Sequence, residues 1–371
     1  MRILIVMDGF FPGKKYGGPP VSVDNFATLM DGLHECYIVT RNHELGATSR
    51  YEDIHEGWND RGNAKVMYLS DSEYGYGRIK AIAGELAPDV LYLQSLFQRC
   101  VMPCLRLAHC QGMKVVLAPR GELCAGAFRK KYKKLPYIAL LRMAGWTRDV
   151  EYQSTSQEES EAIANYMGAS PERIHLLPNV PTVGGKVYAH PLKHAGRARF
   201  IFLSRIHWKK NLLQAIRLFQ NVQGQVVFDI YGPREDEEYW QKCRHAIDEL
   251  PQNVEVNYRG EVEHDDVHST FACYDAFLFP TLSENYGHVI VEALMAGCLP
   301  VISDRTPWSA FPAGAGWSLP LDDEQGFIQA VQAVVGMDAA QMETCRKSIC
   351  RYLRDHINLE KIREEYLQVF A

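Results

Sequence analysis

The sequence predicts an α/β protein of two doubly wound domains, each a mostly parallel sheet between two layers of helix. Short apolar runs of four to eight residues alternate with longer amphipathic stretches along most of the chain. This alternation is typical of strands that are buried beneath helices on both faces of a sheet. One stretch rich in proline and glycine interrupts it, and the length of 371 residues exceeds the usual size of one compact core.

Eight apolar runs are predicted to be the strands of the two sheets. The segments between them have helical periodicity, as from Pro19 to Leu33 and from Asn211 to Val222. Together they give the repeated strand–helix order of parallel sheets. The predicted strands begin at Arg2, Cys36, Asp89, Lys114, Arg199, Gln225, Ala276 and Cys298.

The interruption runs from Asn179 to Arg197 and predicts a linker between the domains. We therefore expect a first domain of residues 1–180 and a second domain of residues 181–354. A charged amphipathic pattern near the C-terminus predicts a helix, at about residues 355–371, that joins the first domain.

Composition and charge exclude several classes of protein. The net charge of −5 disfavours a protein that neutralises nucleic-acid phosphates. None of the ten cysteines forms a Cys-x-x-Cys pair, which disfavours a zinc site and fits a reducing cytoplasm. Met1-Arg2 runs directly into an apolar strand pattern, so we expect no signal peptide. No apolar run reaches the roughly 20 residues that span a bilayer. We expect a cytoplasmic protein.

The strongest candidate site follows the strand predicted at Ala276. A polar loop with Glu284 leads into a helix that begins near Tyr286 or Gly287. Backbone N–H groups at Gly287 and His288 would face an anion at the helix start. Glu292, further along this helix, could accept both hydroxyls of a ribose, and Glu284 could bind a sugar. The alternative is that Glu284 only caps the helix and Glu292 is solvated.

A second candidate site follows the first strand of the second domain. Arg205 ends that strand, and Lys210 opens the next helix. Two cations at a strand-to-helix junction suit a diphosphate, whose negative charge grows when it departs as a leaving group. Ordinary surface basicity is the alternative.

A third candidate is the paired glycine Gly17-Gly18, which is followed by Pro19 and Pro20. Glycines let the backbone approach a ligand closely, and proline is favoured at the start of a helix. The dinucleotide fingerprint is absent because no third glycine follows at the required spacing.

These motifs resemble the retaining glycosyltransferases of the GT-B fold, in the large "group 1" family (family 4), and the resemblance covers nearly the whole chain. It extends to bacterial members that build capsules and polysaccharides. The matching features are Gly17-Gly18, Thr155 to Glu159, His175 to Asn179 (where Val180 replaces the family's glycine), the Arg-x4-Lys of Arg205 and Lys210, and the Glu-x7-Glu of Glu284 and Glu292.

The resemblance implies a first domain on the acceptor side and a second domain that binds a nucleotide-sugar donor. Glu284 would bind the transferred sugar and Glu292 the ribose, while Arg205 and Lys210 would hold the diphosphate. A UDP-sugar is the commonest donor of such enzymes, with a GDP-sugar as the alternative. The donor-binding residues implied in addition are Gly17, Gly18, Gly232, Gly260, Val262, Tyr286, Gly287 and His288.

The sequence departs from the family after the fourth strand of the first domain. Many relatives have a histidine near the reacting sugar there, whereas this chain has Ala118 to Leu123, with Arg120 in the middle. Arg120 would face the donor or the acceptor, or it is a structural arginine.

No metal ion and no other cofactor is expected. The chain has no Asp-x-Asp, the motif with which transferases of the other common fold hold a divalent cation. Charge neutralisation by Arg205 and Lys210 is expected in its place.

The acceptor is expected to be a glycan or a lipid-linked glycan. The basic segment Arg129 to Lys134, followed by an apolar stretch, could rest on the inner face of an anionic membrane. The alternative is a helix with a solvated basic face. For the whole chain, the alternatives are a nucleotide-sugar epimerase of similar fold and a non-catalytic nucleotide-sugar-binding subunit.

Overall fold

The structure is a computed structural model that describes residues 1–124, 131–182 and 188–371, without the side chains of Lys131 and Lys133. Its internal contacts divide the chain into two compact units. The first consists of Met1–Val183 together with Leu359–Ala371, and the second of Gly184–Asn358. Much of the predicted basic segment, Arg129 and Lys130 included, lies outside the described residues.

The first domain contains an eight-stranded sheet in the order β3-β4-β2-β1-β5-β6-β7-β8. All neighbouring strands are parallel except β3 and β4, which are antiparallel. The central strands are apolar and almost completely buried. The strands are β1 (Arg2–Val6), β2 (Glu35–Arg41), β3 (Trp58–Arg61), β4 (Ala64–Leu69), β5 (Val90–Gln94), β6 (Lys114–Ala118), β7 (Val150–Ser154) and β8 (Ile174–Leu176).

Helices pack on both faces of this sheet and form two apolar cores. Helix α1 begins directly after Gly17, with proline in its first turn as the sequence predicts. The helices are α1 (Gly18–Leu29), α2 (Tyr76–Leu86), α3 (Val101–Gln111), α4 (Lys131–Met143) and α5 (Gln157–Met167), with a 3₁₀ turn at Pro171–Arg173.

The second domain contains a six-stranded parallel sheet in the order β11-β10-β9-β12-β13-β14. This is the 3-2-1-4-5-6 order of the dinucleotide-binding fold. The strands are β9 (Arg197–Leu203), β10 (Gln225–Tyr231), β11 (Val254–Gly260), β12 (Ala276–Phe279), β13 (Leu299–Ser303) and β14 (Trp317–Leu319).

Helices cover this second sheet as well, around one large apolar core. Carboxylate side chains accept backbone N–H groups at the starts of three of them, which supplies the acceptors that a helix start lacks. The helices of this domain are α6 (Leu212–Arg217), α7 (Glu237–Asp248), α8 (Val267–Ala272), α9 (His288–Met295), α10 (Glu324–Gly336) and α11 (Ala339–His356), with 3₁₀ turns at Trp208–Lys210 and His264–Asp266. The chain ends with α12 (Leu359–Phe370).

The C-terminal helix α12 belongs to the first domain. Tyr366 and Phe370 pack against the aromatic ring of Phe26 in α1, with centroid distances of 5.6 and 5.0 Å. The Tyr366 hydroxyl accepts a hydrogen bond from Gln153 of β7 at 2.7 Å and donates one to the Pro178 carbonyl at 2.8 Å. Two distant parts of the chain therefore form one domain.

Candidate functional site

The strand order of the second sheet reverses between β9 and β12. These two strands are parallel neighbours, and the chain continues from β9 to β10 on one side and from β12 to β13 on the other. In open α/β sheets, ligands bind at such a point, beyond the carboxyl ends of the strands. Arg205 and Lys210 follow β9, and Glu284 follows β12. Three of the predicted site residues therefore lie where the fold favours ligand binding.

Lys210 and Glu284 form an ion pair across this point. Each side chain is 15% exposed, so the pair is shielded from bulk water but within reach of a ligand. The backbone N–H of Glu284 donates to the Arg305 carbonyl at 2.9 Å, which fixes the loop from the β13 side. Glu284 does not cap α9, because the residue before that helix is Gly287.

Arg205 pairs with a carboxylate that the sequence analysis did not identify. Its Nη1 lies 3.0 Å from both side-chain oxygens of Glu235. Glu235 follows Tyr231-Gly232-Pro233 at the carboxyl end of β10, the neighbour of β9. Glu235 could have been identified from the sequence, because the residues that follow a strand next to β9 are expected near Arg205. In this structure, both predicted diphosphate cations have a carboxylate partner.

The sequence prediction that Lys210 opens a helix is wrong. Lys210 ends the 3₁₀ turn that begins at Trp208, and Asn211 follows in a left-handed conformation with φ of 60°. The Asn211 amide donates to the Pro280 carbonyl at 2.9 Å, which fixes that conformation. Helix α6 therefore begins only at Leu212. The turn holds Lys210 beside the loop after β12.

Helix α9 begins at His288, within two residues of the predicted start. Gly287 before it has φ of +76°, and a Cβ there would lie 2.8 Å from Ile290 Cδ1. Glycine is therefore favoured at this position. The first N–H groups of a helix have no acceptor within the helix, so this start can receive an anion.

Trp308 holds the loop before α9 and was also missed by the sequence analysis. Its indole N–H donates to the Tyr286 carbonyl at 2.6 Å. The two aromatic rings meet edge to face, with centroids 5.6 Å apart. Trp308 contacts the loop because the fold brings the segment after β13 next to it. No local sequence pattern indicates this contact.

We expect Trp308→Phe to loosen this loop while it keeps the aromatic contact with Tyr286. The Tyr286 carbonyl loses its donor, which costs about 1 kcal/mol of unfolding free energy. Nucleotide affinity, measured by calorimetry, should fall together with this stability. Trp317→Phe, at the start of β14, is the control. Equal nucleotide affinity in wild type and Trp308→Phe would show that the loop does not need this hydrogen bond.

Glu292 lies on α9 and is only 6% exposed. Burial raises the pKa of its carboxyl group to about 7 from 4.5, because the apolar surroundings disfavour the charged form. The sequence alternative of a solvated helix residue is therefore wrong. A buried carboxyl group with a raised pKa, on the helix that follows β12, is a candidate for ligand binding.

The predicted glycines Gly232 and Gly260 lie at the carboxyl ends of β10 and β11: Gly232 directly follows β10, and Gly260 is the last residue of β11. Gly232 has φ of +126°, and a Cβ there would overlap the Ser204 carbonyl oxygen, so only glycine fits. Its N–H donates to the Gly260 carbonyl at 2.7 Å. Val262 follows Gly260 and packs against the core of the domain. These three residues are placed together at the edge of the sheet beside β9.

A buried carboxylate organises the same edge. Asp229 of β10 accepts hydrogen bonds from Arg259 at 3.1 Å, from the Tyr274 hydroxyl at 2.7 Å and from the Asn257 amide at 2.9 Å. These contacts fix the end of β11 and so the backbone around Gly260.

The remaining predicted site residues, Gly17, Gly18 and Arg120, lie in the first domain. Gly17 has φ of +74° and directly precedes α1, and a Cβ at this position would meet open space. A side chain there would therefore be strained by the backbone alone. Gly18 is the first residue of α1. Their contact with a donor stays a prediction.

Arg120 lies in a polar network at the carboxyl ends of three strands. Its Nε donates to the Gln94 side chain at 2.8 Å, and its guanidinium also bonds the Asn179 side chain and the Tyr92 hydroxyl. Its φ of +55° is held by Glu159, which accepts the N–H of Gly121 at 2.5 Å. These contacts give Arg120 a structural role, and its role toward a ligand stays a prediction.

Metal clusters and membrane-spanning helices are both absent from the part of the chain that the structure describes. Within it, no group of three or more His, Cys, Asp or Glu side chains could hold a metal ion. No helix in the same residues is long and apolar enough to cross a membrane.

Comparison with known proteins gives one family match. Residues 189–310, in the second domain, match the family described as "Glycosyl transferases group 1". This range includes Arg205, Lys210, Glu284 and Glu292. No curated protein sequence is significantly similar to the chain.

Solved structures resemble the whole chain at low sequence identity. Anabaena Alr3699/HepE, described in complex with UDP and glucose, is 15% identical with a TM-score of 0.71, over 99% of this chain and 98% of that one. Sucrose-phosphate synthase from Thermosynechococcus elongatus is 15% identical with a TM-score of 0.68, over 100% of this chain and 98% of that one. WaaG, a glycosyltransferase involved in lipopolysaccharide biosynthesis, is 14% identical with a TM-score of 0.64, over 100% of this chain and 99% of that one.

The predicted fold class is confirmed: the two sheets and the structural neighbours are those of the GT-B fold. The chain therefore has the GT-B fold, and residues 189–310 of its second domain match the group 1 glycosyl transferase family.

Proposed function

We propose that this protein is a retaining, metal-independent glycosyltransferase. It moves a sugar from a nucleotide-diphosphate sugar to a glycan or a lipid-linked glycan, in the assembly of a bacterial surface polysaccharide. A UDP-sugar is the first candidate donor, because the similar Anabaena HepE structure is described with UDP and glucose. WaaG, which is involved in lipopolysaccharide biosynthesis, supports the choice of acceptor.

The observation that carries the proposal is the ion pair between Lys210 and Glu284 at the strand reversal. A cation and a carboxylate lie there side by side, as a glycosyl diphosphate requires. Lys210 and Arg205 would bind the diphosphate, and Glu284 the hydroxyls of the transferred sugar. Glu292 would accept the ribose hydroxyls.

The two cations act mainly on the leaving group. Negative charge on the diphosphate grows as the bond to the sugar breaks, so Lys210 and Arg205 stabilise the transition state more than the bound donor. When the diphosphate binds, it competes with Glu235 for Arg205 and with Glu284 for Lys210. The carboxylate of Glu284 is then available to the sugar hydroxyls.

A donor panel tests this function against its alternatives. The protein is incubated with UDP-, GDP- and other nucleotide sugars, without acceptor and with excess chelator. Slow hydrolysis of one donor, with the chelator present, is the expected result. Isomerisation of the sugar would identify an epimerase, and binding without turnover a non-catalytic subunit. Activity that is lost with the chelator and restored by magnesium would contradict the metal-independent mechanism.

The same proposal includes reversible contact with the inner face of a membrane. Helix α4 has exposed apolar side chains, with Tyr132 72% and Met143 81% exposed, besides Leu135 and Leu140. Their successive spacings of three, five and three residues keep them on one side of a helix with about 3.6 residues per turn. In the sequence, the basic segment overlaps the start of this helix, and an adjoining basic and apolar stretch is typical of helices that lie on membranes.

We expect the protein to sediment with anionic liposomes at low salt and to be released at high salt. Each lysine or arginine near an anionic surface contributes about 1 kcal/mol to membrane binding. At about 1 M salt the Debye length is about 3 Å, so this attraction is screened. The test variant replaces Lys130, Lys131 and Lys133 with glutamine. It spares Lys134, whose amine donates to the Glu122 carbonyl at 3.0 Å.

This triple variant should not sediment, while its donor hydrolysis persists. A second variant, with Leu140 and Met143 replaced by serine, separates the apolar contribution from the basic one. If the wild-type protein does not sediment with anionic liposomes at low salt, the segment is a solvated helix face and the acceptor is a soluble molecule.

A further inference from the structure

Two exposed apolar side chains flank the ion pair of Lys210 and Glu284. Trp208 is 40% exposed and stands two residues before Lys210. Leu282 is 37% exposed and stands two residues before Glu284. Most large apolar side chains of this domain are buried in its core. An exposed tryptophan beside a charged pair is therefore a feature that folding does not require.

Hydrogen bonds hold the chain segments of these two residues side by side. The N–H of Leu282 donates to the Lys209 carbonyl at 2.9 Å, and the Thr281 hydroxyl donates to the same oxygen at 3.3 Å. Among the described residues, the indole ring has ring contacts with the His207 ring at 5.4 Å and with the Lys209 ammonium at 5.8 Å. Trp208 and Leu282, both partly exposed, are together named the apolar platform.

We propose that the apolar platform binds the apolar face of a pyranose ring, with Trp208 as its stacking residue. A pyranose has C–H groups on its faces and hydroxyls at its rim, so it needs an aromatic surface with charged groups beside it. Ligand sites in general combine aromatic side chains with a few polar groups in this way. The area of one indole and one leucine matches a sugar ring and is too small for a protein partner.

This inference rests on the proposed function for the choice of ligand. The ring belongs either to the donor's transferred sugar or to a sugar of the acceptor, since both have the same chemistry. Trp208 thereby becomes a residue that determines sugar specificity, whereas Lys210 and Arg205 recognise the diphosphate that all such donors share.

The test compares wild type with Trp208→Ala and Trp208→Phe by calorimetry. Leu192→Ala is the matched control, because Leu192 is an exposed apolar residue of the same domain, near the amino-terminal end of β9. The probes are UDP, UDP-glucose, UDP-galactose, UDP-N-acetylglucosamine, maltose, lactose and chitobiose. Melting temperatures confirm that each variant is folded.

Trp208→Ala should weaken the binding of a sugar-bearing probe about three- to tenfold, as expected for loss of an aromatic contact. Trp208→Phe should restore most of it, and UDP affinity should not change. Weaker binding of a UDP-sugar assigns the ring to the donor, and weaker binding of an oligosaccharide assigns it to the acceptor. If all affinities equal those of wild type, the apolar platform binds no sugar. If wild type binds neither UDP nor any UDP-sugar, the proposed function fails. The binding of oligosaccharides then shows by itself whether the apolar platform binds a sugar.

Discussion

Lys210→Ala should lower the turnover number about a hundredfold while it changes the affinity for the donor only a few-fold. In the proposed mechanism, the lysine binds a diphosphate whose charge grows as the glycosidic bond breaks, and removal of one such group typically costs about 10² to 10³ in rate. Arg205→Ala should act in the same direction. The measurement is donor hydrolysis with kcat and KM determined separately, and Lys242→Ala, on the exposed face of α7, is the charge-matched control.

The ion pair with Glu284 raises a second explanation for such a loss. Lys210 could act only by holding Glu284 in place, because the two side chains touch. A double-mutant cycle separates the two roles. If Lys210 acts on the diphosphate, Lys210→Ala still lowers turnover in a Glu284→Gln background. No further loss in that background would make Lys210 a positioning residue, and a normal kcat with only a raised KM would contradict the proposed role.

The sheets were predictable from the sequence where their strands are buried on both faces. All eight apolar runs are confirmed as strands, from β1 at Arg2 to β13 at Ser303. The strands that were missed lie mostly toward the sheet edges, such as β3 and β11. β11, for example, alternates apolar with polar residues and has few fully buried positions. An edge strand needs little apolar surface, so its pattern is hard to distinguish from a loop.

The candidate site was predictable in its residues but not in their pairing. Arg205, Lys210, Glu284 and Glu292 have recognisable spacings along the chain. Glu235 and Trp308 become relevant only through strand order, since β10 and β13 bring them beside loops that are distant in sequence.

The burial of Glu292 has a consequence for the pH dependence of stability. Its carboxyl pKa is raised to about 7 in the folded chain, from 4.5. Between these two values, the folded protein binds a proton that the unfolded chain does not, so stability falls as the pH rises through this window. The total loss is between about 3 and 4 kcal/mol, at about 1.4 kcal/mol for each pH unit. Below pH 4.5 the loss is absent, and above pH 7 it is complete.

Glu292→Gln should therefore stabilise the protein at pH 8 and weaken its binding of UDP. Glutamine stays neutral, so the variant avoids the cost of a buried charge, and its melting temperature should exceed that of wild type by several degrees at pH 8 but not near pH 4.5. A ribose that loses a charged acceptor binds more weakly by about 1.5–3 kcal/mol, which is at least about tenfold in affinity.

Calorimetric titration with UDP and thermal unfolding from pH 4.5 to 8 test both effects on one protein. Glu324→Gln, at the exposed start of α10, controls for the removal of a carboxylate from the same domain. Affinity for UDP that is unchanged by Glu292→Gln would reject the ribose contact even if the stability effect is found. A melting temperature that rises equally at both ends of the pH range would instead show that the buried carboxyl group does not titrate near 7. Since the two outcomes are independent, the experiment separates the effect of burying Glu292 on stability from its proposed contact with the ribose. A buried carboxyl group that lowers the stability of the protein is expected where it binds a ligand.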